Sequence, residues 1–541
     1  MNCRNSSICI VRLIADANLP DSYINLLMNH FKITIRKILD SAAGILLFIV
    51  SLAAFYMPYE IRIIPAVAQA LPMARYILGG LLLIVFFLLY GSSLTVFRGN
   101  WALWAAAGFV GVLIFSTVMN GGDLEGALGT YGLAGLFLVM DIAVFFKVNP
   151  KKYLLIAFFL LLLVNIANTY TVYEYCLKRG TGMWESYGLY TNWFYSLIGN
   201  YNGGIEYVLP MAICGSAYAH RYGKWLDLIN YPAVIMSLIM AVSCDSATQI
   251  LVFAALLVFM AIGNLAMAFR GFAGFLKVVF QPVIFIAVDF AILVSVVIIN
   301  KSNWVARIGL DPDFHNRRHV WNMSMEWIAR NPIWGSGQET VGVEASKITG
   351  YAHSHCTYLE AAYKTGFIGC VFLLLMMAAA IVAIYRSRHH RISYMMTVML
   401  FLMGLAGVAE TYPMVYVMFC LGLIYYIAKN TNDTESAKKR VHKEKTGPLQ
   451  QEDPAADTAA VPEKERTAAA SQPARSKMHQ EKDASVPQSA YDIQEVQLEH
   501  VGKKVQEVQD GPESPEPSEP ELDSTVHIDE TVLLKEEDNE P

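Results

Sequence analysis

Long apolar runs recur along the first 430 residues, each close to the length of a bilayer crossing and separated from the next by a polar segment. A helix crosses the hydrocarbon core in roughly 20 mostly apolar residues. That window predicts spans at 41–58, 76–97, 101–119, 127–147, 152–171, 200–219, 228–243, 246–268, 277–299, 357–386, 392–409 and 412–429. Backbone polar groups in lipid must be satisfied within their own segment, so runs of this length predict helices. The expected fold class is an all-α polytopic membrane protein with about 12 transmembrane helices, a large extracytoplasmic loop and a disordered C-terminal tail. The first run lies behind a more polar leader, has no A-x-A-like cleavage site at its end and is followed by further spans, so it is expected to be a retained helix. No internal repeat is evident.

The charges between the runs orient the bundle, because Lys and Arg accumulate in short cytoplasmic loops. Arg4, Arg12, Lys32, Arg36 and Lys37 precede the first span. Every second loop after it is again basic: Arg98; Lys147, Lys151 and Lys152; His220, Arg221 and Lys224; Arg270 and Lys277; Arg386, Arg388 and Arg391. Three of the alternate short loops hold only acids: Asp123 with Glu125, Asp245, and Glu410. One loop is mixed, with Glu60, Arg62 and Arg75. This predicts a multi-pass protein of the bacterial inner membrane with both termini in the cytoplasm. The expected organisation is a cytoplasmic segment over 1–40, helices 1–9 over 41–299, an extracytoplasmic loop over 300–356, helices 10–12 over 357–429 and a cytoplasmic tail over 430–541. A second long outer loop, near 172–199, is aromatic.

Composition agrees. The chain is 55% hydrophobic and 16% charged, against about a quarter charged in soluble proteins. A net charge of -5 gives no reason to expect a nucleic-acid partner. The 8 cysteines form no CxxC pair, and those inside apolar runs read as small buried hydrophobes. Residues 437–445 are basic and sit just past the last span, where anionic lipid headgroups attract them. The tail beyond is rich in Glu, Pro, Gln, Ala and Ser and cannot bury enough apolar surface to fold alone. Within it, residues 493–508 have helical apolar spacing, which could serve a cytoplasmic partner, although plain disorder is the simpler reading.

Candidate chemistry collects in 314–369. The stretch holds Arg317, Arg318, His319 and Trp321, then Asn-Pro-Ile-Trp-Gly-Ser-Gly at 331–337, then His353 and His355, and finally Gly366 and Gly369. A histidine at the mouth of a span titrates near neutrality and suits proton transfer. An arginine fork matches a phosphate oxyanion bidentately. No carboxylate pair at metal-ligand spacing accompanies them, so no cofactor or metal is called for. Trp321, Trp327 and Trp334 read as interface anchors or loop packing. Ionisable groups within spans are costly and usually functional. Asp141 and Asp289 are expected in helix–helix contacts, whereas Glu206 is equally compatible with packing or with facing the site.

This segment resembles the signature of the O-antigen ligase/polymerase superfamily: an Arg four residues before a Trp (Arg317, Trp321), Asn-Pro-x-x-Gly-x-Gly (331–337), and a His followed by Gly-x-x-Gly (His355, Gly366, Gly369). Residues 199–210, with Asn200, Asn202 and Glu206, resemble the family's Gly- and Asn-rich opening of a mid-protein span. The resemblance covers roughly 40–430 and departs at two places. Cys356 follows His355, and the 243–249 turn lacks the family's Arg. It implies a membrane glycosyltransferase acting on an undecaprenyl-pyrophosphate-linked glycan at the outer face. His355 would be the base and Arg317 and Arg318 would neutralise the departing pyrophosphate. Asn200, Asn202, Glu206 and His353 would line the substrate site, His353 as a second base or as an orienter of His355. Polymerisation of capsule, exopolysaccharide or O-antigen-type repeats is the first expectation; transfer to a lipid core or a protein hydroxyl is the second. A transporter or flippase for a polar or anionic solute, with the arginines as its vestibule, is the rival from another class. In intact cells, cysteines placed in 172–199 and 300–356 should react with an impermeant thiol reagent, and those placed beyond 430 should not. Labelling of the tail from outside would reverse the orientation.

Overall fold

Helices account for nearly all of the backbone in the computed structural model, which describes residues 21–62, 64–90, 99–178, 195–200, 203–268, 282–298, 317–348, 353–388 and 390–445. These belong to the first of two units, divided after Gln451. Residues 446–541, with the 493–508 stretch, lie outside the described residues, as do the aromatic 179–194, Asn202 and 299–316.

In chain order the helices are α1 Asp21–Asp40, α2 Ala42–Phe55, α3 Tyr59–Arg62, α4 Pro65–Tyr90, α5 Trp101–Met119, α6 Leu124–Val148, α7 Pro150–Tyr175 and α8 Gly204–Arg221. They continue with α9 Asp227–Ser243, α10 Ala247–Ala268, α11 Pro282–Ile292, α12 Arg317–Arg330, α13 Val341–Lys347, α14 Thr357–Arg386, α15 Arg391–Ala409 and α16 Met414–Lys445. A two-residue pairing of Tyr195–Ser196 with Gly199–Asn200 is the only strand contact among the described residues.

Each apolar run falls on a helix over its described part. By length and apolarity, however, nine described helices qualify as spans, or ten if the bent pair of α1 and α2 (72°) is one crossing. Of the other two expected spans, α8 mixes Glu206, Ser216, His220 and Arg221 into 18 residues, and 277–299 is described only over 282–298, all of it helical. One boundary also moves. Arg75, read as a loop residue, lies inside α4, because Pro65 at N1 and the Ala-rich stretch after it start the helix early. There the guanidinium is buried and donates to the carbonyls of Ala54 and Gly129 at 2.9 Å each.

The centre of the bundle is α6, α15 and α16, which are mostly buried, while α4 and α7 turn large apolar side chains such as Ile77, Ile84 and Leu163 outward. A perimeter of this kind suits lipid, where packing and interhelical hydrogen bonds hold helices together in place of a hydrophobic drive. Asp141 of α6 accepts from Ser51 of α2 at 2.8 Å, and Asn165 of α7 donates to Ser237 of α9 at 3.0 Å. Asp289 of α11 packs against Gly404 of α15. Both aspartates therefore sit in the helix–helix contacts expected of them.

The feature that positions the site is a break in α14. Gly366 has φ 59°, outside the helical region. A continuous helix would bond the N–H of 367 and 368 to the carbonyls of 363 and 364. Instead the N–H of Phe367 donates to Pro332 and that of Ile368 to Ile333, at 2.8 and 3.2 Å. The carbonyls of Tyr363 and Lys364 accept from Ser336 and Gly337, at 2.8 and 2.9 Å. All four displaced groups are thus satisfied by the 331–337 segment, as buried backbone demands. Its far side is tied to α5: Ser116 donates to Gly335 at 2.9 Å, and Gln338 N–H donates to Thr117 at 2.9 Å. A Cβ on Gly366 would meet Ile333 O at 2.4 Å, and one on Gly337 (φ 78°) would meet Thr117 backbone at 2.5 Å. The two motif glycines therefore serve positive φ and close backbone approach. Gly366→Ala should lower stability by on the order of 2 kcal/mol, combining left-handed strain with the clash. Gly342, where an added methyl would have no neighbour within 4 Å, is the control and should tolerate Ala. Thermal unfolding of the two variants in detergent checks this.

Candidate functional site

Three elements meet at the N-terminal end of α14: the first turn of α12, the 353–356 loop that leads into α14, and the 410–413 turn between α15 and α16. Arg317 opens α12 and reaches the turn. Its Nη2 lies 2.8 Å from Glu410 Oε2, and its Nη1 donates to the carbonyl of Ala409. His355 arrives from the opposite side with Nδ1 3.0 Å from Glu410 Oε1. One carboxylate thus joins the arginine to the histidine. The turn is pinned from below, since Thr357 gives both its N–H and its hydroxyl to Glu410 O, at 3.2 and 2.9 Å. Tyr412 N–H returns to the Thr357 hydroxyl at 2.9 Å.

Glu410 is buried to 7% exposure. Burial disfavours its charge, but the hydrogen bond from His355 and the nearby Arg317 outweigh that and hold the carboxyl below its usual range. An ionised carboxylate at Nδ1 selects the tautomer that carries its proton on Nδ1. Nε2 is left with its lone pair, the arrangement that makes an imidazole a directed base. His355 has φ 49°, an uncommon backbone for a non-glycine residue. Such strain costs on the order of 1–3 kcal/mol and persists where the surroundings over-determine it.

His353 stacks edge-on to His355 with ring centroids 4.3 Å apart, and its buried Nδ1 has no hydrogen-bond partner among the described residues. Burial and the neighbouring imidazole lower its pKa, so the ring stays neutral at neutral pH. Cys356 is buried and its thiol is pushed up to about 12, mainly by that burial, so it is inert beside the histidine. Glu206 lies on the first turn of α8, where its carbonyl accepts from Tyr56. The buried Tyr412 feels both acids. Burial first, then the fields of Glu410 and Glu206, push its phenol well above the usual range.

Of the residues singled out from the sequence, the fold brings Arg317, His353 and His355 into direct contact with one another or with Glu410, and sets the Glu206 backbone against Tyr56. Arg318 follows Arg317 in the same turn, partly exposed. Asn200 is placed only by its backbone in the short strand pairing, and Asn202 lies outside the described residues. Glu410 was visible as the lone acid of a short loop, but no spacing tied it to a histidine 55 positions earlier.

Residues 232–374 match the family model described as O-antigen ligase. The chain carries an O-antigen ligase domain there, which supports membership of the O-antigen ligase/polymerase superfamily. The matched segment carries Arg317, the 331–337 segment, both histidines and Gly366, and ends before Glu410. At the family level this is a membrane glycosyltransferase-like ligase activity on lipid-linked glycans, in an inner-membrane protein. No curated protein matches the chain.

Glu410 titrates lower when folded than when unfolded. Its contribution is therefore complete above its ordinary pKa of about 4.3 and lost as pH falls through the depressed value. Glu410→Gln should cost on the order of 2 kcal/mol near pH 7, less than the ~3–5 of a fully buried broken pair because Arg317 keeps 23% side-chain exposure. The gap between variant and wild type should shrink below about pH 4. Thermal unfolding against pH measures both, and a pH-independent gap would remove the charge argument.

Proposed function

We propose that the chain transfers a glycan from an undecaprenyl-pyrophosphate carrier to an acceptor hydroxyl at the outer face of the inner membrane, with polymerisation of capsule, exopolysaccharide or O-antigen-type repeat units as its role. The observation that carries this reading is the 3.0 Å hydrogen bond from Glu410, beyond the matched O-antigen ligase segment, to His355 within it, with Arg317 on the same carboxylate. His355 Nε2 takes the proton of the acceptor hydroxyl as its oxygen attacks the anomeric carbon. The bond from that carbon to the diphosphate oxygen breaks, and the lipid pyrophosphate leaves with the electron pair. Glu410 stabilises the imidazolium that forms, as the carboxylate of a His–carboxylate pair does. Arg317 and Arg318 offset charge growing on the diphosphate, the kind of electrostatic stabilisation that is usually largest. Because Arg317 already holds Glu410 and the Ala409 carbonyl, it also fixes the base, and loss of its side chain removes both effects. Glu206, Asn200, Asn202 and His353 line the substrate side in this reading. The basic loops support a reading in which both termini and the tail are cytoplasmic.

A misplaced or missing general base costs roughly 10²–10⁴-fold in rate. His355→Ala should leave folded protein in the membrane and stop glycan lengthening. Arg317→Ala should be nearly as damaging, and Arg317→Lys only partly tolerated, because a point charge lacks the fork. The readout is glycan length by gel or mass spectrometry in a deletion strain expressing each variant at matched level. Wild-type profiles from His355→Ala would take His355 out of the mechanism and move a solute transporter ahead.

A further inference from the structure

A buried ionic cluster lies directly behind the 353–356 loop. Glu360, one turn into α14, receives Lys364 Nζ at 2.5 Å on Oε1 and the N–H of Ser354 at 3.0 Å on Oε2. Lys364 also lies 3.6 Å from Glu344 of α13. Glu360 and Lys364 are only 5% and 8% exposed. Glu344 has its carboxyl pushed up to about 9, first by burial and then by Glu360, so at neutral pH it adds no second negative charge. A single buried ion pair remains, formed by Glu360 and Lys364.

Stability is a poor reason for such a pair, because its desolvation cost rivals its attraction and apolar replacements are often as stable. Its geometry gives a better one. The oxygen of Glu360 that Lys364 leaves unused accepts from Ser354, the residue immediately before His355. The Ser354 hydroxyl in turn donates to Cys356 O at 2.9 Å, closing the loop around His355. His355 is the only residue of that loop with positive φ, so a local force must hold it there. Glu360 supplies that force from one side and Glu410 from the other.

We propose that Glu360, fixed in place by Lys364, is a positioning residue that sets the backbone of His355 so that its imidazole meets Glu410. This rests on the reading of His355 as the base. Glu360 touches no substrate; it acts through the loop. The catalytic requirement is therefore an acceptor at position 360, and the charge of the pair matters only through the rotamer it selects.

The test uses the full-length chain in proteoliposomes with a lipid-pyrophosphate-linked repeat unit as donor. In a Lys364→Met background, which leaves no buried cation unpaired, Glu360→Gln keeps an acceptor for Ser354 and Glu360→Leu does not. Glu360→Leu should lose about 10²-fold in kcat, the cost of a base misplaced by about 1 Å. Its donor KM should be unchanged, and Glu360→Gln should stay within about tenfold of its background. The exchanged pair Glu360→Lys/Lys364→Glu restores the ion pair but offers Ser354 a donor, so it should remain as inactive as Glu360→Leu. Equal activity of the Gln and Leu variants, or full rescue by the exchange, overturns the positioning role and leaves a structural ion pair. Wild-type activity from His355→Ala overturns the reading of the base instead, so the two failures are distinguishable.

Discussion

Four backbone hydrogen bonds at the break in α14 set everything else at this end of the bundle. A helix that ends and resumes without a gap exposes two carbonyls and two N–H groups, and in a low-dielectric interior none of them can be left alone. The 331–337 segment pairs all four and then fastens to α5 through Ser116 and Thr117. Because that segment follows α12 directly, its docking fixes where α12 lies, and with it the reach of Arg317 towards the 410–413 turn. The glycines of the motif thus have a mechanical role. They allow one backbone to lie against another at distances a side chain would forbid.

The chemistry then follows from a single buried carboxylate with two cationic or protonatable neighbours. Glu410 alone would be neutral at this depth. With Arg317 at 2.8 Å and His355 at 3.0 Å it stays ionised, and its charge selects the tautomer of the histidine. Low surrounding dielectric strengthens each of these contacts and makes each missing partner costly. A second buried acid, Glu360, repeats the device one turn into α14, where Lys364 keeps it charged and its spare oxygen binds the loop. The histidine loop is held between two carboxylates, each stabilised by a cation from a different part of the chain.

Apolar run length is a local property, so the all-helical bundle and the places of most of its described helices were legible from the residues in order. The asymmetric cases show where local reading stops. Arg75 reads as a loop residue by window hydropathy, yet tertiary contacts with the Ala54 and Gly129 carbonyls allow a guanidinium inside α4. α8 is a helix, but its polar side chains leave it below the apolarity of an ordinary span. Arg317 and His355 were recognisable because their spacing to Trp321 and to Gly366 is short and stays within one segment. Glu410 was not, since its partners are 93 and 55 residues away, and a lone acid in a short loop has no period or motif to mark it. The order of residues determined which side chains could do proton transfer and where helices form. Only the folded chain decided which of them meet, because pairing across α12, α14 and the α15–α16 turn depends on a break in one helix whose consequences no local pattern encodes.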